Sequence, residues 1–277
     1  MSMEEKYIDA GEIRTCYWVA GDQGPSVVLI HGLGTSKEIW RPNIEVLARA
    51  YRVYAPDLVG HGFTDKPDSD YSISYMIGHL HHFMKAMRID QAAMIGVSLG
   101  GGLVLRYAID YPHRVRKLVP EDAAGLGRDV PFKLRISSIP FIARWSLLKN
   151  RTILSSYMKG LVLDPAVMTE EIIDHYHKIF SLEGAMNAFS KVLITSCGFG
   201  GVRKELVDSI VNRLSSIKIP TLIAWGREDP SLPVKHAYVA QRNIPHSELY
   251  VFENCGHFPN LEKTEEFNRV VMDFLAK

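Results

Sequence analysis

The feature that most constrains the fold is an apolar run, Ala92–Val97, that leads through a glycine-rich turn into an amphipathic stretch. The turn spans Gly96–Gly100 in a G-x-S-x-G pattern with Ser98 at its centre. A residue on a sharp strand-to-helix turn has strained dihedral angles, so its neighbours two positions away on each side must be small. Gly96 and Gly100 meet that requirement. The pattern therefore predicts a strand–turn–helix unit with Ser98 at the bend.

Short apolar runs alternate with amphipathic stretches in the first half of the chain and again near its C-terminus. This alternation is typical of βαβ units and predicts a mostly parallel sheet. An N-terminal hairpin is expected through Gly11. Pro120 follows one run closely, and we expect it to fray that strand. The predicted strands are 7–10, 13–19, 27–30, 51–55, 92–97, 117–119, 221–225 and 249–252.

The alternation stops between residues 128 and 214. The spacing of apolar residues there is helical, no clear strand is visible, and Pro131 and Gly198–Gly201 are among the breaks. We interpret this segment as a helical insertion that forms a cap or lid, although a packing accessory would give the same pattern. Residues 1–127 and 215–277 are then the two parts of an α/β core.

Charge and composition exclude several classes of protein. The net charge of +1 gives no electrostatic basis for binding nucleic acid or an anionic membrane. No apolar run approaches the roughly 18 residues of a membrane span, and the N-terminus lacks the apolar region of a secretory signal. The three cysteines, Cys16, Cys197 and Cys255, are far apart in the chain and form no ligand pattern. We expect free thiols and a cytoplasmic protein.

The predicted turn places a hydroxyl where it can act as a nucleophile. The N-terminus of the following helix directs partial positive charge toward Ser98, and the N–H of Leu99 can contact a developing oxyanion. A serine hydroxyl needs a base to take its proton. Among 11 histidines, His257 is the candidate, because it follows the last predicted strand at the end where open α/β sheets place their sites.

A histidine base needs a carboxylate to fix its tautomer and stabilise the imidazolium. Asp229 follows the predicted strand that ends at Trp225, and the chain order Ser, Asp, His is the order expected for this arrangement. Asp122, just after an earlier strand, is the alternative acid. The turn and proline spacing around Asp229 favours it over Asp122.

Other histidines invite a metal-site interpretation that the spacing does not support. His79 and His82 lie three positions apart on a predicted helix, but no carboxylate or cysteine nearby completes a ligand set. We predict no metal. His31 and His61, in glycine-containing turns, are interpreted as structural.

These motifs together resemble the α/β-hydrolase superfamily over nearly the whole chain. The matching segments are His31–Gly34, Asp57–Pro67, Gly96–Gly101, Gly226–Pro233 and Gly256–Pro259. The resemblance implies a mostly parallel eight-stranded sheet flanked by helices, with a helical cap inserted after the sixth strand. This sequence departs from the family at Val59, where a proline is usual, and at Phe63-Thr64, where a serine is frequent.

The resemblance also implies residue roles. Ser98 is the nucleophile, His257 the base and Asp229 the acid, and the N–H groups of Leu33 and Leu99 form the oxyanion hole. We further expect Gly32 and Phe258 to contact the substrate.

The preferred reaction is hydrolysis of a small carboxylic ester through an acyl-enzyme on Ser98, without cofactor or metal. The alternative is a carbon–carbon bond hydrolase acting on ring-fission diketones. Such enzymes usually carry tryptophan after the catalytic histidine, where this chain has Phe258. A catalytically weak small-ligand-binding protein of the same fold is a third reading, which the complete set of reactive positions disfavours.

Overall fold

The computed structural model describes residues 3–139 and 147–277, and its central element is an eight-stranded sheet. The spatial order of the strands is β1-β2-β4-β3-β5-β6-β9-β10, while β7 and β8 form a separate hairpin. The strands are β1 (Glu4–Ala10), β2 (Ile13–Ala20), β3 (Ser26–Ile30), β4 (Arg52–Pro56), β5 (Ala92–Val97), β6 (Val115–Glu121), β7 (Cys197–Gly198), β8 (Gly201–Val202), β9 (Leu222–Gly226) and β10 (Glu248–Phe252).

Strand directions confirm the expected mostly parallel sheet. β1 pairs antiparallel with β2, and β2 pairs antiparallel with β4. All the other neighbours in the large sheet are parallel, from β4 and β3 through to β9 and β10. The parallel strands therefore end at one edge, where Ile30 pairs with Gly96 and Gly96 with Pro120. The loops that follow these strands meet at that edge.

Helices cover both faces of the sheet. All six residues of β5 are buried, and because successive side chains of a strand point to opposite faces, both faces must be covered there. In α2, for example, Met76, Leu80 and Phe83 are buried on one face of the helix, and Ser72 caps its first turn. The described helices are α1 (Arg41–Leu47), α2 (Ile73–Ala86), α3 (Leu99–Asp110), α4 (Phe132–Ser137), α5 (Arg151–Lys159), α6 (Glu170–Ser181), α7 (Ala185–Ser196), α8 (Lys204–Val211), α9 (Lys235–Asn243), α10 (Pro259–Glu262) and α11 (Thr264–Ala276).

The expectation that Pro120 would fray its strand was wrong, because β6 continues through it to Glu121. Leu118 N–H and Asp122 N–H donate to carbonyl groups on the β9 side, those of Pro220 and Ala224. Because backbone N–H groups alternate in direction along a strand, the nitrogen of Pro120 also faces β9. Proline has no N–H there, so one hydrogen bond between β6 and β9 is not formed. The pairing with β5 is continuous there, and it holds the strand.

Between β6 and β9 the described chain forms α4 to α8 and the β7–β8 hairpin. The expectation of no strands in this segment was wrong at the hairpin, where Gly201 has φ +96. A Cβ on Gly201 would lie 1.9 Å from the carbonyl oxygen of Arg128, so only glycine fits this tight turn. Residues 140–146 of the predicted insertion lie outside the described residues.

The inserted helices lie against loops at the carboxyl edge of the sheet. Phe180 and Phe189 pack near Gly34, in the loop after β3. Lys191 bonds to the carbonyl of Ser69, beyond β4. The carbonyl of Leu161 accepts the N–H of His257, 2.9 Å away. The helices between β6 and β9 therefore contact the edge where the candidate site residues lie.

A buried ion pair holds the loops after β3 and β4 together. Lys37 Nζ lies 2.9 Å from Asp57 Oδ2, and both side chains are almost fully buried. Asp57 also accepts the N–H groups of Lys37 and Phe63. Breaking such a pair leaves an uncompensated buried charge, so these loops are strongly tied to one another. None of the helices in the described part of the chain is long and apolar enough to cross a membrane.

Candidate active site

Ser98 stands on a strained turn between β5 and α3. Its backbone angles are φ 57 and ψ −117, a conformation that few non-glycine residues adopt. A Cβ on Gly96 would lie 2.3 Å from the carbonyl oxygen of Gly100, and one on Gly100 would lie 2.2 Å from that of Ile30. The two glycines of the motif therefore permit a backbone approach that any side chain would block. Strained backbone conformations of this kind are concentrated at active sites and ligand-binding sites.

The turn is fixed to the neighbouring strand by backbone hydrogen bonds. Ser98 N–H donates to the carbonyl of Glu121 over 2.9 Å, and Ala124 N–H donates to the carbonyl of Ser98 over 2.9 Å. These bonds link the Ser98 backbone to the end of β6. They make the bend a rigid part of the sheet edge.

The loop after β3 brings backbone N–H groups beside this turn. The position of a Cβ on Gly32 is 3.1 Å from Ser98 Cβ, so the loop runs directly past the serine. The Gly32 carbonyl accepts from Thr35 N–H, Thr35 Oγ1 and His31 Nδ1. In a trans peptide the N–H of Leu33 points away from that carbonyl and its partners. No acceptor among the described residues takes the N–H of Leu33 or of Leu99, which leaves both able to bind a ligand oxygen.

His31 organises this loop, as the sequence interpretation expects. Its Nε2 accepts the N–H of Leu58 at 2.9 Å, so Nδ1 carries the proton given to Gly32. Burial lowers the pKa of His31, which keeps the ring neutral. His61 is also buried, and burial lowers its pKa to about 3. Both rings are structural.

His257 and Asp229 form a buried hydrogen-bonded pair. His257 Nδ1 lies 2.7 Å from Asp229 Oδ2, and their side chains are 4% and 0% exposed. Asp229 Oδ1 accepts the N–H groups of Ser231 and Leu232, at 2.7 and 3.0 Å. Burial alone would raise the pKa of Asp229, but the imidazole and the donated hydrogen bonds outweigh it and lower that pKa. The carboxylate is ionised and holds the proton of the imidazole on Nδ1.

Asp122, the alternative acid, lies in the same cluster. One oxygen each of Asp122 and Asp229 and one ring nitrogen of His257 lie within 4.8 Å of one another. Asp122 is fully buried, and its carboxyl accepts the N–H of Gly226. Burial and the adjacent Asp229 raise the pKa of Asp122 well above its usual range. The carboxylate that contacts the imidazole is therefore Asp229, with Asp122 beside it.

These three side chains are the only group of His, Cys, Asp or Glu in residues 3–139 and 147–277 close enough together to hold a metal ion. Their hydrogen bonds to one another and to backbone N–H groups account for the arrangement.

Burial raises the pKa of Cys255, next to the cluster, which makes its thiol a poor nucleophile. His79 bonds to Thr15 Oγ1 at 2.8 Å, as a packed histidine in the interior of the protein.

Ser98 opens into an apolar cavity of about 660 Å³, including the space at its mouth. Within the described part of the chain, no lysine, arginine, histidine or acidic residue lines it. The hydroxyl of Ser98 has no hydrogen-bond partner among the described residues, His257 included. In sites without substrate, such catalytic bonds are often long and shorten in the complex. The cavity wall includes Leu33, Leu99, Leu134, Val192, Leu193, Val202, Leu206 and Leu232.

The other two predicted substrate contacts are placed differently. Gly32 lies against Ser98, whereas the buried ring of Phe258 packs on the imidazole of His257, with the ring centres 4.8 Å apart. Neither residue lines the described cavity, where Leu33 and Leu99 do. Phe258 thus supports the histidine, in the position where related carbon–carbon hydrolases were expected to have tryptophan.

Two sets of residues were not predicted from the sequence: those that form the cavity wall, and the buried carboxyl of Glu121 beside Asp122. Leu134, Val192 and Leu206 come from the inserted helices, and only their helical spacing of apolar residues pointed to a buried face. Glu121 is fully buried, and burial raises its pKa to about 8. A carboxyl at the end of a buried strand, next to Asp122, was the available signal.

Comparison with known proteins finds relatives that match nearly the whole chain. The family model for the alpha/beta hydrolase fold matches residues 25–264. A 2-hydroxy-6-oxo-2,4-heptadienoate hydrolase from Pseudomonas putida is 32% identical over 274 residues, covering 96% of this chain and 94% of that protein. A 2-hydroxy-6-oxo-6-(2'-aminophenyl)hexa-2,4-dienoic acid hydrolase from Metapseudomonas resinovorans is 31% identical over 278 residues, covering 99% and 91%.

Solved structures give the same picture. A meta-cleavage product hydrolase from Pseudomonas fluorescens matches with a TM-score of 0.85 and 29% identity. The match covers 98% of this chain and 97% of that one. The similarity therefore includes both the sheet and the inserted helices.

Proposed function

The chain belongs to the alpha/beta hydrolase fold family, and from this premise we propose that it is a serine hydrolase that cleaves a carbon–carbon bond in 2-hydroxy-6-oxo-dienoate compounds. The observation that carries the proposal is the similarity, over nearly the full length, to two enzymes named for such substrates. These relatives favour the carbon–carbon reaction over the ester hydrolysis preferred from the sequence. Ester hydrolysis becomes the second candidate.

In the proposed reaction Ser98, His257 and Asp229 act as one unit. His257 Nε2 takes the proton of the Ser98 hydroxyl as its oxygen attacks the ketone carbon of the substrate. Asp229, ionised and bonded to Nδ1, holds the ring in the required tautomer and stabilises the imidazolium. The strained backbone at Ser98 presents the hydroxyl at the cavity without a competing hydrogen bond in the described chain.

The N–H groups of Leu33 and Leu99 are the proposed oxyanion donors. Attack turns the ketone oxygen into an oxyanion, and donors fixed in advance stabilise this charge without reorganising. The Leu33 N–H is fixed because three bonds hold the preceding carbonyl of Gly32. Leu99 is the first residue of α3, where N–H groups are free of partners within the helix.

The substrate itself makes the carbon leaving group possible. When the enol proton moves from the 2-hydroxyl to C5, the chain becomes a C2 ketone conjugated with a C3–C4 double bond. Collapse of the tetrahedral adduct breaks the C5–C6 bond, and the electron pair passes through C4 and C3 to the C2 oxygen. His257 returns the serine proton to that enolate. Water, deprotonated by His257, then releases the C6 fragment from Ser98 as a carboxylic acid.

Residues 128–214 are proposed to act as the cap of this site. Their helices supply part of the apolar wall of the cavity, including Leu134, Val192 and Leu206. An apolar wall excludes water and strengthens the electrostatic interactions of the reaction. The bond from His257 N–H to the carbonyl of Leu161 couples this segment to the base.

One observation favours the second candidate. A dienoate carries a carboxylate, yet the cavity lining in residues 3–139 and 147–277 contains no cation. Burying a carboxylate without a partner is costly, whereas an ester with an apolar acyl group needs none. The polar lining groups in that part of the chain are hydroxyls and a thiol, those of Ser98, Ser196, Cys197 and Ser231.

Turnover of matched substrates tests the proposal. A 2-hydroxy-6-oxo-dienoate and a series of nitrophenyl esters are each assayed with the wild type, with Ser98→Ala and with Ser215→Ala, an exposed serine. We expect kcat/KM for the dienoate to exceed that for every ester by at least tenfold, and Ser98→Ala alone to abolish it. Turnover of esters without turnover of the dienoate would replace the proposal by the second candidate.

A further inference from the structure

Two carboxyl groups share one buried place at the edge of the sheet. One carboxyl oxygen of Asp122 and one of Asp229 lie within 4.8 Å of each other. The side chain of Asp229 is 0% exposed, and Asp122 as a whole is 0% exposed. Two ionised carboxylates have no proton to donate and repel each other strongly when water is absent. One of the two must therefore hold a proton.

The surrounding donors decide which one holds it. Asp229 receives three donors, namely the N–H groups of Ser231 and Leu232 and the imidazole of His257. Among the residues that the structure describes, Asp122 receives a single backbone donor, Gly226 N–H, at 3.1 and 3.3 Å from its two oxygens. Donors stabilise the ionised form, so the negative charge belongs on Asp229 and the proton on Asp122.

The titratable groups around Asp122 point the same way. In the described part of the chain they are Asp229 and His257, from the loops after β9 and β10, its neighbour Glu121 and the buried thiol of Cys255. The negative charge that acts on the Asp122 carboxyl at neutral pH is that of Asp229, because Glu121 keeps its own proton up to about pH 8. Burial first, and the charge of Asp229 second, raise the pKa of Asp122.

The backbone of Asp122 holds this carboxyl in place. Its φ of 39 lies in the left-handed region, which asparagine and glycine adopt readily and alanine does not. Asp122 N–H donates to the carbonyl of Ala224, so the turn is tied to the strand that leads to Asp229. With the backbone held in this way, one oxygen of the Asp122 carboxyl lies within 4.8 Å of one of Asp229.

We propose that Asp122 is a positioning residue for the reaction: a neutral carboxylic acid whose O–H donates to Asp229 and holds that carboxylate toward His257. This inference rests on the proposed function of Ser98, Asp229 and His257. The hydrogen bond fixes the carboxylate and spreads its charge. Without this hydrogen bond, the negative charge on Asp229 is less spread and attracts the imidazolium of His257 more strongly.

Three variants test the proposal. Asp122→Asn keeps a neutral donor in the same shape, Asp122→Gly removes the donor without backbone strain, and Asp90→Asn changes an exposed aspartate as the control. The readouts are the second-order rate of labelling by a fluorophosphonate between pH 5 and 9 and the infrared difference spectrum between wild type and Asp122→Asn at pH 7.

The expected results separate a proton donor from a space-filling side chain. Asp122→Asn labels within about threefold of the wild type, and the difference spectrum shows loss of one protonated carboxylic acid band. Asp122→Gly labels roughly ten- to a hundredfold more slowly, the range for losing a hydrogen bond to a charged group, and the acid limb of its pH profile moves to higher pH.

Either of two results would overturn the inference: no protonated carboxyl band lost in Asp122→Asn, or an Asn variant as slow as the Gly variant. The first would mean that Asp122 is ionised at pH 7, and the second that its charge is required. If the wild type is not labelled at all, the proposed function of Ser98 fails. The infrared spectrum still decides whether Asp122 carries the proton.

Discussion

The imidazole Nδ1 of His257 lies 2.7 Å from Asp229 Oδ2, although the two residues are 28 positions apart and follow different strands. The contact exists because β9 and β10 are parallel neighbours, paired from Leu222 with Glu248 to Gly226 with Phe252. Their following loops start at the same edge. A Cβ on Gly226 would lie 1.8 Å from the carbonyl oxygen of Gly256, so the loops touch only because glycine is there.

The first prediction concerns this contact. Asp229→Asn keeps the shape but presents an amide to Nδ1, which favours the wrong tautomer of His257. We expect the rate of Ser98 labelling to fall by roughly three to four powers of ten. Asp90→Asn, an exposed aspartate, is the matched control and should label at the wild-type rate. A loss of less than tenfold in Asp229→Asn would show that another group orients the base.

The second prediction tests the backbone approach at the turn. A methyl group on Gly96 meets the Gly100 carbonyl at 2.3 Å, whereas one on Gly78 in α2 meets no atom within 4 Å. Gly96→Ala should lower the free energy of unfolding by about 2 kcal/mol or more through overpacking. Gly78→Ala should raise it by about 0.5–1 kcal/mol, because alanine is the better helix former. Urea denaturation measures both, and a tolerated Gly96→Ala would contradict the described turn.

The third prediction follows from the buried carboxyl of Glu121, whose pKa is raised to about 8 by burial. The folded protein keeps this proton up to about pH 8, while the unfolded chain releases it near the ordinary value of 4.5. The wild type therefore loses stability as pH rises from about 4.5 to 8. Glu121→Gln does not, so the variant should be more stable by about 1–3 kcal/mol at pH 7.5 and equal to wild type at pH 4.

Unfolding free energies at the two pH values check this prediction. Glu12→Gln, at an exposed position, is the control and should show no difference that depends on pH. A Glu121→Gln gain that is the same at pH 4 and pH 7.5 would mean that packing, and not the proton, is responsible.

Much of the fold was predictable because strand periodicity and turn residues are local signals. The predicted parallel strands lie within a few residues of the observed ones, and β5 has the predicted bounds, Ala92–Val97. Pro120 misled, since whether a proline breaks a strand depends on which neighbour its missing N–H faces. That neighbour is β9, about 100 residues later in the chain, and no local pattern carries this information.

The sequence motifs were sufficient to predict which residues form the candidate site, but not which of their side chains contact one another. Ser98, Asp229 and His257 lie in loops whose order in the chain is informative. The relation of Asp122 to Asp229 was missed, because sequence presents two aspartates as competitors for one role. Only the pairing of β6 with β9 brings both carboxyls into one buried place.

The site at which a fluorophosphonate attaches tests most directly whether Ser98 is the nucleophile. We predict one covalent adduct on the folded wild type, located on Ser98 by peptide mass spectrometry. We also predict no adduct in Ser98→Ala and unchanged labelling in Ser215→Ala. A folded wild type that stays unlabelled, or an adduct on any other residue, would contradict the claim that Ser98 is the nucleophile.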